Sequence, residues 1–100
     1  MEFQYEPRLL DYMEQKSKRT IVVELVEINN SDLDITELHV RFVDARMRDQ
    51  FLTKKHYRLH TTPHGEVLMP RFPLKLEETV RFGMKSFLCF HRITYSGIRV

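Results

Sequence analysis

The chain has 100 residues, 42% hydrophobic and 30% charged, and its sixteen Lys and Arg against fourteen Asp and Glu leave a formal charge of +2. That length makes one domain, residues 1–100, with a modest core, and seven Phe and four Tyr exclude a disordered chain. A sequence pI near 8.8 argues against a dedicated nucleic-acid binder, whose domain pI usually exceeds about 9.

The acidic start, Met1 to Tyr5, reads as a short leading strand. Pro7 suits the first turn of a helix, and Leu9, Leu10, Tyr12 and Met13 follow at helical spacing, which predicts a helix over residues 6–17. The stretch Thr20 to Asp44 organises the rest. Two β-rich runs flank the turn formers Asn30-Ser31-Asp32-Leu33-Asp34, the signal for a hairpin or neighbouring strands. Ile21, Val23 and Leu25 share one face of the first run, and Leu38, Val40 and Phe42 one face of the second, with Glu37, His39 and Arg41 opposite.

Asp44 to Gln50 is polar and reads as a short helical turn or an exposed loop. Lys55 to Thr62 alternates as a strand, Pro63 to Glu66 turns, and Val67 to Met69 returns to make a second hairpin. Leu74 to Thr79 fits a helical turn or a loop. Gly83 suggests a bulge or bend, and Ser86 to Tyr95 reads as the longest late strand. Ser96-Gly97 then turns the chain into a terminal edge strand, Ile98 to Val100. One N-terminal helix with five to seven mostly antiparallel strands predicts an α+β domain, folded as a small β-rich sandwich. Val23, Leu25, Val40, Phe42, Leu59 and Phe90 are its expected core.

Chemistry is thinly signalled. His56 and His60 share a strand face about 13 Å apart at a rise of about 3.3 Å per residue, too far for one ion. Cys89 and His91 share a face of the late strand at about 7 Å, and could recruit His39 or His56 across the sheet. With Phe87 beside them and Leu88 and Phe90 opposite, both faces read as buried, and a buried lone cysteine behaves as a small hydrophobe. No orienting acid accompanies a Cys–His pair. Lys16, Lys18 and Arg19, then Arg46 and Arg48, then Lys54, Lys55 and Arg58, form small basic groups, but acids are interleaved throughout. No phosphate-loop, dinucleotide or zinc-protease motif occurs.

Tyr5 to Lys18, the run Thr20 to Asn29 and the tail Ile93 to Val100 together resemble the HesB-like fold of iron–sulfur scaffold and carrier proteins. The resemblance implies a strand, a helix, then hairpins ending in a strand, a glycine and a closing apolar segment. Family members that carry clusters use one cysteine after an early strand and a Cys-x-Cys near the C-terminus. Neither is present here, and Cys89 matches neither site. The resemblance therefore implies a cysteine-less member to which no ligand carries over.

The expected function is a small non-catalytic binding domain without a cofactor. Its expected partner is another protein or a second copy reached through the C-terminal strand. A metal or iron–sulfur protein using Cys89, His91, His56 or His60 is the alternative, and a weak nucleic-acid module the third. The lone cysteine fits a reducing compartment. The start lacks the apolar run of a signal peptide, and no stretch reaches the roughly 18 apolar residues of a span. The expected address is the cytoplasm, with no membrane partner.

Overall fold

The computed structural model describes residues 2–29, 34–71 and 74–100. In chain order it forms β1 (Glu2–Tyr5), α1 (Pro7–Lys16), β2 (Thr20–Asn29), β3 (Asp34–Val43), α2 (Ala45–Thr53), β4 (Arg58–Thr62), β5 (Gly65–Met69), β6 (Lys75–Phe87) and β7 (Phe90–Arg99). The strands make two sheets, one ordered β1-β6-β7 and the other β3-β2-β5-β4. The chain is thus a mixed α+β domain, with two helices where one was expected. The pairs β1/β6 and β2/β5 are parallel, and the other three are antiparallel.

The two sheets enclose the main core. Ile21 and Val23 of β2, Val67 and Met69 of β5, and Val80, Phe82, Met84, Ile93 and Ile98 of the other sheet form it. Helix α1 adds Leu9 and Met13, four residues apart and so on one helical face. Its end is fixed by Ser17 in the left-handed region, with the amide of Lys18 donating to the carbonyl of Met13 at 2.9 Å.

The run Thr20-Ile21-Val22-Val23 is almost continuously apolar because β2 is covered on both faces. Its second face carries Val22, which joins Val43, Leu68, Tyr57 and Phe51 in a smaller cluster beneath α2. That helix occupies the stretch expected as a turn or loop. The Asp44 carboxylate accepts the Met47 amide at 2.8 Å and caps the helix, and Phe51 anchors it to the sheet.

Several expectations are corrected at the chain's end. Lys75 to Thr79 lies in β6, not in a helical turn or loop. The late stretch Ser86 to Tyr95 is not one strand, because the chain reverses at Leu88-Cys89 and Phe87 pairs with Phe90. Phe90 is consequently exposed, at 74%, instead of buried. Ser96-Gly97 does not turn the chain. It lies inside β7, where Gly97 with φ of 86° sits opposite the register shift between Leu76 and Arg81. A side chain at Gly97 would collide with the Thr79 carbonyl, so the bulge expected near Gly83 belongs here. Of the remaining expected core, Val23 is fully buried, but Leu25, Val40, Phe42 and Leu59 are half-buried. The turn formers 30–33 lie outside the described residues. Among those described, no helix is long and apolar enough to cross a membrane.

Candidate functional site

The four residues singled out for metal or thiol chemistry are scattered. His56 lies ahead of β4, not on it, in the left-handed region, and its carbonyl accepts the Arg71 guanidinium at 2.6 Å. His60 sits on β4 against the Phe3 ring, 5.6 Å between centroids. Cys89 is exposed at the hairpin turn, and His91 packs its ring on Tyr12 at 5.0 Å. Reading residues 86–95 as one strand put Cys89 and His91 on a shared face; the turn between them removes that face. Among the described residues, no three His, Cys, Asp or Glu converge to hold a metal ion.

Sequence reasoning did not anticipate one pair. Ser86 and His91 lie opposite each other across the β6–β7 hairpin, with Ser86 Oγ 2.8 Å from His91 Nδ1. A register resting on the Leu88-Cys89 turn was needed to find it. No carboxylate among the described residues contacts His91, so the third member that would orient it as a base is missing.

Face to face, the two sheets leave two flanks, and these differ. Along the first, β1 meets β4. The Tyr5 hydroxyl accepts a hydrogen bond from Thr62 at 3.1 Å, and the Tyr5 and His64 rings stand 5.4 Å apart. Phe3 stacks on Phe82 behind them. Burial raises the Tyr5 pKa, against a smaller lowering by the Thr62 bond. On the outer side of the same sheet, Arg48 of α2 grips Glu66 of β5 through two bonds of 2.9 and 3.0 Å, and Thr20 adds a third at 3.1 Å. The Arg48 bonds hold the Glu66 carboxyl below its ordinary pKa, with burial opposing, and the same contact raises the Arg48 pKa. These three displaced pKa values are explained by structural contacts.

Along the second flank, β3 and β7 are the outer strands of their respective sheets and do not pair. Between them runs an open groove of about 680 Å³, walled by Leu38 to Arg41 and by Arg92 to Tyr95. It extends one way to Ile98 and Val100 and the other to Tyr12, Phe42 and His91. In a hairpin with a two-residue turn, Phe87 and Phe90 close the ladder and the hydrogen-bonded pairs alternate from there. Arg92 and Thr94 therefore bond to β6, while the peptide groups of His91, Ile93 and Tyr95 point away from it, into the groove. The floor is apolar and the rim is basic. Arg41 is tied to Glu24 at 3.1 Å and His39 to Glu37 at 3.1 Å. Among the described residues, no carboxylate pairs with Arg92 or Arg99.

No family model, characterised protein or solved structure matches the chain. Function must therefore be argued from the groove and the surface themselves.

Proposed function

We propose that this chain is a binding module, without a reaction of its own, that takes an extended segment of a partner protein into the groove between β3 and β7. One observation carries the reading: two sheet edges lie side by side over an apolar floor, unpaired among the described residues. A strand laid between them satisfies backbone groups that the fold leaves open and buries Leu38, Val40 and Tyr95 with it. The basic rim favours a segment with acidic residues.

The order β1, α1, β2, with a glycine late in β7, supports keeping the HesB-like resemblance within this reading, as a domain without cluster ligands. A reducing, cytoplasmic setting suits the exposed thiol of Cys89. A second copy of the chain is the rival occupant, because β7 offers the same edge to either.

Selection from a displayed library of random peptides tests the reading. The expected binders alternate apolar and polar residues, carry acids, and bind more weakly as salt rises. Tyr95→Pro, which removes a groove-facing N–H, abolishes binding, and Arg92→Glu weakens it while leaving the backbone untouched. Binders indifferent to both substitutions would place the site elsewhere. Mass that rises with concentration, and falls with Tyr95→Pro, would assign the groove to a second copy.

A further inference from the structure

The end of the β6–β7 hairpin breaks three rules that a water-facing hairpin normally obeys. Phe87, Leu88 and Phe90 are 73%, 83% and 74% exposed, side by side at one tip. Leu88 holds the first turn position with φ of 53°, a conformation that glycine or asparagine adopts at lower cost. Behind the tip, Lys85 and Arg92 are direct cross-strand partners, a like-charged pair that repels in water. Period two puts Lys85, Phe87, Phe90 and Arg92 on one face, where together they line a shallow hollow. Met84 and Ile93 are the last core residues along this ribbon, so residues 85–92 project beyond the core.

We propose that this tip docks the protein on an anionic lipid surface, with Phe87, Leu88 and Phe90 in the acyl boundary and Lys85 and Arg92 among the headgroups. The spacing fits. Three residues of strand separate Lys85 from Leu88, about 10 Å at a rise of about 3.3 Å, and interfacial segments bury to about 5–10 Å. The charge fits as well, because an anionic headgroup layer turns the Lys85–Arg92 repulsion into attraction. A protein partner suits the tip less. Two Phe at about 150–250 Å² each, with one Leu, fall short of the roughly 800 Å² per partner that a stable interface needs. A nucleic acid suits it less too: Phe87 and Phe90 offer rings for bases, but Lys85 and Arg92 are only two cations where a backbone-tracking groove needs a run of them, and Leu88 at the turn offers no ring. The sequence expectation of no membrane partner rested on the lack of a spanning stretch, and a hairpin tip needs none.

The chain has no tryptophan, so Leu88→Trp places a single fluorophore at the tip. With phosphatidylcholine vesicles containing about one-third phosphatidylserine, its emission should shift to the blue and the protein should float with the lipid. Phe87→Ser with Phe90→Ser should reduce flotation at least tenfold. Lys85→Gln with Arg92→Gln should reduce it about 25-fold, at about fivefold per cation, and added salt should act in the same direction. These residues are exposed, so thermal melts should confirm that the variants stay folded. Unshifted emission at saturating lipid, or flotation unchanged by the Ser pair, would overturn the proposal. Retention by oligo(dT) without flotation would overturn it in favour of nucleic acid. Failure of the Leu88→Trp and Phe87→Ser/Phe90→Ser arms leaves the β3–β7 groove untouched, since those residues lie outside its lining. Arg92 is shared with the groove rim, so Lys85→Gln alone tests the headgroup contact without disturbing it.

Discussion

The two flanks of the sandwich solve one problem in opposite ways. Where β1 meets β4, aromatic rings and the Tyr5–Thr62 hydrogen bond close the gap between the sheets. Where β3 meets β7, the gap stays open, its floor apolar and its rim basic. A native protein that can close one flank with a few side chains does not need to leave the other bare, and it is on this difference that the proposed docking role of the open flank rests.

The largest test of that contrast is in the core. Phe82 is fully buried and stacks on Phe3 behind the closed flank, so Phe82→Ala should cost ~3–5 kcal/mol in urea unfolding. Phe42, half-buried at the open flank and stacked on Tyr12, should cost roughly half as much as Phe42→Ala. Equal losses would mean that the open flank is as tightly packed as the closed one.

Much of this asymmetry lies beyond local sequence. The alternation in Thr20 to Val43 reads directly as two strands, because each can bury one face at period two. The helix Ala45–Thr53 is less legible: its support is one cap, Asp44, and one anchor, Phe51, against a sheet face that exists only once β2 and β5 pair. The hairpin tip was misread for a physical reason. Apolar density in Phe87 to Phe90 normally signals burial, and Leu88 is an unusual residue for a turn position with positive φ. The open flank is legible only in part: the expected terminal edge strand, Ile98 to Val100, falls at the end of the edge strand β7, but its neighbour β3 could not be foreseen, since which strands become sheet edges is set by long-range pairing.

Next in size is the contact that pins α2 across the β5 side. The folded Glu66 carboxyl is held below its ordinary pKa, so its stabilising effect is present above the unfolded value, near 4.5, and is lost as pH falls through the folded value. Glu66→Gln should therefore cost about 1–2 kcal/mol at neutral pH and much less at about pH 3, read from urea midpoints. A penalty independent of pH would show that shape, not charge, holds the contact. Tyr5→Phe, which deletes the hydroxyl from the closed flank, should cost about 1 kcal/mol. The smallest effect is expected at the open flank, where Tyr95→Ala should change stability by no more than about 0.5 kcal/mol yet weaken peptide binding.

Backbone amide exchange along β7 probes the open flank most directly. In the dilute free chain, the amides of Arg92 and Thr94, bonded to β6, should exchange slowly, while those of Ile93 and Tyr95 exchange fast. A selected peptide should then slow Ile93 and Tyr95 and leave β1 and β4 unchanged. Ile93 and Tyr95 already as slow as their neighbours in the free chain, or indifferent to the peptide, would contradict an open docking edge.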